Sequence, residues 1–241
     1  MAQDIKTVGV IGLGKMGHPI ARHLARNGFA VLGHDIDPAA AQRLSQYGVT
    51  AAPSPAALAA VSDLVIVVTA FETEVEDVLF AANGVAAGAK AGTIVGIAAT
   101  ISPRGMRRFG ERLSERGLVA LDIPLCRGEP AAEAGQLLIV GGGDGAAFER
   151  CRPALATFAD AIFHLGPAGQ SLLGNFAVRS SSLRMMTCFF PPAASSAETN
   201  ELNTNKLNTA AEKLINFIFV LPCFIDLISS LIRAPASCRQ P

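Results

Sequence analysis

Residues 7–37, TVGVIGLGKMGHPIARHLARNGFAVLGHDID, decide the fold. TVGVI is a short apolar, β-branched run of strand type. Gly12-Leu13-Gly14-Lys15-Met16-Gly17 follows it, then the helical spacing of 16–27 and a second apolar run that ends at Asp35. In a strand–turn–helix of this kind the three glycines serve in turn the tight bend, the close approach of backbone to a pyrophosphate, and close helix–strand contact. Amides at the helix start face the phosphates. Gly12, Leu13, Gly14, Lys15, Met16 and Gly17 are therefore candidate dinucleotide-binding residues. Asp35 falls where a carboxylate meets the adenosine ribose, and the residue after it is Ile36 rather than an arginine. That pairing predicts NAD over NADP, since a 2′-phosphate would face like charge. Asp35 could alternatively cap the helix starting at Pro38, a role that Asp37 fills better.

Outward from this stretch, apolar runs at 64–68, 93–97, 118–123 and 137–140 alternate with helical spacing at 38–47, 74–80 and 103–116. Such alternation is the signature of βαβ units. It predicts an α/β fold, a Rossmann-type doubly wound parallel sheet over 1–165. After Gly169 the alternation ends and 171–209 fill with Ser, Thr, Asn and Pro, a composition of linker or irregular insertion. The expected organisation is thus a dinucleotide-binding domain at 1–165, a linker at 166–209 and an incomplete all-helical segment at 210–241.

The chain has 241 residues and zero formal net charge, so nothing points to a nucleic-acid partner. Cys126, Cys151, Cys188, Cys223 and Cys238 are scattered and odd in number, against a disulfide framework or a zinc site. His18, His23 and His34 form no metal-ligand pattern, and no metal is expected. His164 reads as a packing residue. The start of the chain lacks a secretory pattern, and the expected location is cytoplasmic. The apolar stretch 214–232 is long enough to span a bilayer, but Asn216, Pro222 and Asp226 interrupt it. No membrane span is expected there.

GVIGLGKMGHPIARHLARNGFAVLGHDIDP resembles the opening of the β-hydroxyacid dehydrogenases, the group of 3-hydroxyisobutyrate dehydrogenase and tartronate semialdehyde reductase, related to 6-phosphogluconate dehydrogenase. SDLVIVVTAFETEVEDVLF resembles that family's fourth strand and cofactor loop, with Thr69-Ala70 in place of Leu-Pro. Ala99-Thr100-Ile101-Ser102-Pro103 resembles its Ser-Thr-x-Ser-Pro turn, and the resemblance places Thr100 beside the nicotinamide. Asp122-Ile123-Pro124-Leu125-Cys126-Arg127-Gly128 resembles its Asp-x-Pro-Val-Ser-Gly-Gly substrate signature. Asp122, Cys126, Arg127 and Gly128 are accordingly substrate-binding candidates. Cys126 stands for serine and reads as a small buried thiol rather than a nucleophile. Arg127 stands for glycine, and its guanidinium is expected to face an acidic substrate.

The resemblance implies hydride transfer between a small β-hydroxy acid and NAD, with a lysine moving the hydroxyl proton. Gly166-Pro167-Ala168-Gly169 begins the motif that leads to that lysine, but Asn175 holds its position and Val178 that of a helper asparagine. Lys213 and Asn216 repeat the Lys-x-x-Asn pattern about forty residues later and form a displaced candidate catalytic pair. Two readings stay open: an NAD-dependent 3-hydroxyacid dehydrogenase of impaired activity, and a non-catalytic or truncated NAD-binding protein. Copies of the chain could associate through the C-terminal segment.

Overall fold

A computed structural model describes residues 4–169 of the chain. The sheet is built from β1 (Thr7–Ile11), β2 (Ala30–His34), β3 (Thr50–Ala51), β4 (Leu64–Val67), β5 (Ile94–Ile97), β6 (Val119–Asp122), β7 (Leu125–Cys126), β8 (Leu137–Gly143) and β9 (Ala159–His164). The helices are α1 (Gly17–Arg26), α2 (Pro38–Leu44), α3 (Pro55–Ala59), α4 (Glu72–Phe80), α5 (Val85–Gly88), α6 (Pro103–Ser114), α7 (Gly128–Ala134) and α8 (Gly145–Leu155). A 3₁₀ turn, Ser45–Tyr47, extends α2.

Strand order is β3-β2-β1-β4-β5-β6-β8-β7, with β9 on β8. Pairing is parallel from β3 through β6, and the order reverses between β1 and β4. A crevice opens beyond the carboxyl ends of strands at such a switch point. The expected parallel sheet changes at its far side, where β8 runs antiparallel to β6 and β7 and parallel to β9. The physical reason is the connection: from β6 the chain continues directly into β7 and α7 and then turns back, with no crossover of the kind a parallel neighbour needs.

Both faces of the central strands are covered, so their side chains alternate between two cores. Val8, Val10, Leu64 and Ile66 pack with Ile20 and Leu24 of α1, Leu44 of α2, and Phe148 and Leu155 of α8. Ile11, Val65, Val67, Val95 and Ile97 pack with Leu58, Val75, Leu79, Phe109 and Leu113 from α3, α4 and α6. Burying one such side chain contributes about 1.5–3 kcal/mol.

Helix starts follow directly from residue type. Asp37, Ser54, Ser102 and Asp144 each accept a backbone N–H of the first turn, and Pro38, Pro55 and Pro103 take the first helical position. Asp37, not Asp35, therefore caps α2. Among the described residues no helix is long and apolar enough to cross a membrane. The stretch at 214–232, the linker from residue 170 onward and the C-terminal segment lie outside the described residues.

Candidate functional site

The carboxyl ends of β1, β2, β4, β5 and β6 carry most of the residues singled out by the sequence. Gly12 adopts φ +87°, and a methyl group there would lie 2.1 Å from the Val68 carbonyl oxygen. One on Gly17 would lie 1.7 Å from the Gly12 carbonyl oxygen. These two glycines serve the protein's own turn and helix packing. Gly14 differs: its φ is outside the left-handed region, and among the described residues a methyl group would meet no atom within 4 Å. Protein packing gives no reason for a glycine at that point. A group brought in from outside does.

Asp35 is half-buried at the end of β2. Its Oδ2 accepts the Leu13 N–H at 2.6 Å and its Oδ1 the Asp37 N–H at 2.8 Å. The carboxylate thus holds the glycine turn while each oxygen keeps a lone pair. Leu13 is buried, with its side chain in the core. Lys15 is exposed and lies 3.2 Å from Glu129 at the start of α7. Met16 precedes α1 and is partly buried against the core.

Beyond β4, the hydroxyl oxygen of Thr69 is buried with no hydrogen-bond partner among the described residues. An orphaned buried polar atom is costly, and Thr69 stands just beyond β4 at the switch point. Ala70 and Phe71 donate their N–H groups to Glu74, which fixes this loop. Thr100, at the end of β5, is exposed. Ile36 is 99 % and Phe71 66 % exposed, on the loops that follow β2 and β4. Large apolar side chains left open on either side of the glycine turn are unexplained by packing. An open glycine turn, a carboxylate with spare lone pairs, an orphaned hydroxyl and open apolar flanks together fit a dinucleotide.

Two substrate candidates have partners within the protein. Asp122 is 4 % exposed, and its Oδ2 accepts the Gly169 N–H at 3.2 Å. It braces the Gly166–Gly169 turn. Arg127, expected to face a substrate, donates to Asp160 at 2.5 Å and to the Gln136 carbonyl at 2.9 Å. Asp160 lies far along the chain on β9, so no local pattern could reveal the pair. Gly141 and Gly142 likewise have packing reasons. Methyl groups there would lie 2.4 Å from the Phe148 ring and 2.7 Å from the Pro167 carbonyl oxygen.

Arg127 also has φ +81°, the one positive value among the described non-glycine residues. The backbone thus explains why the resembled family carries glycine at that position. A left-handed conformation costs a side-chain-bearing residue about 1–2 kcal/mol, and an exposed ion pair returns about 0.2–1 kcal/mol. Arg127→Ala keeps the strain and loses the pair, so urea unfolding should show a loss of about 1 kcal/mol. Arg127→Gly relieves the strain and should stay within about 0.5 kcal/mol of the wild type.

Cys126 is buried with Leu138 and Val140, and Gly128 opens α7 at φ +73°. Burial pushes the Cys151 thiol up to about 12, which makes it inert. His23 faces the Glu133 carbonyl at 3.0 Å and His34 the Ala52 carbonyl at 2.9 Å. His18 packs edge-on to Tyr47, and desolvation lowers its pKa. His164 packs against Phe148 with ring centroids 4.8 Å apart and planes tilted by 40°. Among the described residues no His, Cys, Asp or Glu group could hold a metal. Asn175, Lys213 and Asn216 lie outside the described residues.

Switch-point topology and the glycine turn define the class: a Rossmann-type NAD(P)-binding domain. Residues 7–166 match the NAD binding domain of 6-phosphogluconate dehydrogenase, and the chain belongs to that family. It is 36% identical over 163 residues to L-threonate dehydrogenase of Cupriavidus necator, covering 68% of this chain and 55% of that protein. It is 34% identical over 165 residues to the NAD-dependent L-serine dehydrogenase of Pseudomonas aeruginosa, covering 68% and 55%. The structure of Mycobacterium tuberculosis 3-hydroxyisobutyrate dehydrogenase with L-serine aligns at a TM-score of 0.66 and 29% identity, covering 77% of this chain and 65% of that one. The chain spans about half the length of the curated relatives it matches.

Proposed function

We propose that this chain binds NAD in preference to NADP and is the dinucleotide-binding part of an oxidoreductase acting on small β-hydroxy acids. The observation that carries the reading is Gly14, whose missing side chain leaves open space over the glycine turn. Gly12, Leu13, Gly14, Lys15, Met16 and Gly17 would hold the pyrophosphate, and Asp35 the adenosine ribose. Ile36 would flank the adenine. The remaining half then falls toward Thr69, Ala70 and Thr100. When bound, NAD supplies the hydride acceptor.

Cofactor choice rests on charge. A unit pair at 4 Å is worth about 4 kcal/mol at an effective dielectric near 20, and exposure with salt cuts this to about 1–3 kcal/mol for a 2′-phosphate at Asp35. NAD should bind about ten- to a hundredfold more tightly than NADP in calorimetric titration. Equal affinities would reject the preference. Asp35→Ser with Ile36→Arg should reverse the order. Because Asp35 also holds the Leu13 amide, that variant should bind NADP more weakly than the wild type binds NAD.

For chemistry, Cys126 and Gly128 stay in the reading as the loop that meets the substrate carboxylate. Lys213, supported by Asn216, is the group that would move the hydroxyl proton. A second reading, NAD binding without turnover, is favoured by Asn175, a carboxamide at the family's lysine position. Association of copies through the C-terminal segment and residence in the cytoplasm accompany both readings.

A further inference from the structure

Glu72, the first residue of α4, stands in neither the glycine turn nor the loop over β7. Its carboxylate nevertheless reaches across to the next crossover. Oε2 accepts the Ser102 O–H at 3.1 Å and the Ser102 N–H at 3.3 Å, while Oε1 lies 3.6 Å from Arg108. Ser102 in turn caps α6 by accepting the Gly105 N–H at 2.9 Å. One side chain thus joins the loop Thr69–Phe71, beyond β4, to the turn that carries Thr100, beyond β5.

Gly105 is an independent mark of the same contact. It lies in the first turn of α6, where glycine is less favourable than alanine. A methyl group on it would lie 2.3 Å from Oε1 of Glu72. An alanine there would push the flexible end of the Glu72 side chain aside. Farther along, Glu76 pairs with Arg108 at 2.8 Å and Arg112 at 2.7 Å, and Arg112 lies over the Phe80 ring at 3.6 Å. These contacts hold α4 against α6 without Glu72, so its removal acts on the two loops rather than on helix packing.

We propose that Glu72 is a positioning residue that holds the Thr100 turn in register with the β4 loop and so sets the grip on the nicotinamide half of the dinucleotide. This rests on the dinucleotide reading above. With pyrophosphate at the glycine turn over β1 and the adenosine ribose at Asp35 on β2, the other half of the molecule lies over β4 and β5. Those are the strands whose loops Glu72 joins.

Titration of the full chain with NADH and with ADP-ribose, which lacks the nicotinamide, separates the two halves. The wild type should bind both, NADH more tightly and with enhanced fluorescence. Glu72→Ala should weaken NADH about three- to tenfold and lose the enhancement, with ADP-ribose affinity held within about twofold. Gly105→Ala, which improves helix propensity while displacing the carboxylate, should give the same change without loss of thermal stability. The double variant should equal either single one, because both remove one contact. Glu72→Gln keeps an oxygen for Ser102 and should bind NADH as the wild type does. Equal losses for NADH and ADP-ribose, or unchanged NADH binding in Glu72→Ala, would overturn the inference. So would a Glu72→Gln variant as weak as Glu72→Ala. A wild type that binds neither ligand would overturn the dinucleotide reading, and this inference with it.

Discussion

Gly14→Ala is expected to fold with wild-type stability and to bind NAD about ten- to a hundredfold more weakly, a loss of about 1.4–2.7 kcal/mol. The methyl group meets no described protein atom, and the backbone is outside the left-handed region. Alanine in a compatible conformation costs the fold nothing and restricts the unfolded chain slightly. All of its cost should appear on ligand binding, because the methyl would fill the open space over the glycine turn. Gly12→Ala and Gly17→Ala should behave in the opposite sense. Their methyl groups would lie 2.1 Å and 1.7 Å from backbone oxygens that cannot move aside as a side chain can. Each should destabilise the domain by about 2–4 kcal/mol, lowering Tm by roughly 2–4 °C per kcal/mol at this size. Thermal unfolding and NAD titration on the three variants check the pattern. Destabilisation by Gly14→Ala with unchanged affinity would remove the main support for the ligand.

The largest expected effect concerns turnover. Positioned acid–base catalysis contributes about 10²–10⁴-fold, and a carboxamide at 175 neither takes nor releases a proton near neutrality. Oxidation of L-threonate, L-serine or 3-hydroxyisobutyrate by the full chain should therefore fall about 10²–10⁴-fold below that of a lysine-bearing relative. Residual turnover should vanish in Lys213→Ala if the displaced pair serves. Robust turnover that survives Lys213→Ala would reject the impaired reading and the displaced lysine together.

Much of the fold was legible because its signals are local. β1 and β2 match the apolar runs at 7–11 and 30–34, and the Asp-Pro and Ser-Pro starts mark α2 and α6. Short elements were not legible. β3, α3, α5 and β7 are too brief for a period to show. α7 and α8 are rich in Ala and Gly, and α8 contains Pro153. The direction of β8 depends on how the chain returns after α7, which no apolar run encodes.

Within the site, the glycine turn and the Asp35 position followed from motif and spacing. The partners of Asp122, Arg127 and Glu72 did not. Each partner lies far off in the chain: Gly169, Asp160 and Ser102. A buried acid bracing a turn, and an arginine held by a distant aspartate, look identical in sequence to residues that await a substrate. The open space at Gly14 also needed coordinates, since in sequence all three glycines look alike.

The central claim is that the crevice over β1 and β4 takes a dinucleotide. Calorimetric titration of the full chain with NAD tests it most directly, with Gly14→Ala titrated alongside. The expected result is saturable binding at one site per chain, weakened about ten- to a hundredfold in the variant. No saturable binding of NAD or NADP by a folded wild type would contradict it.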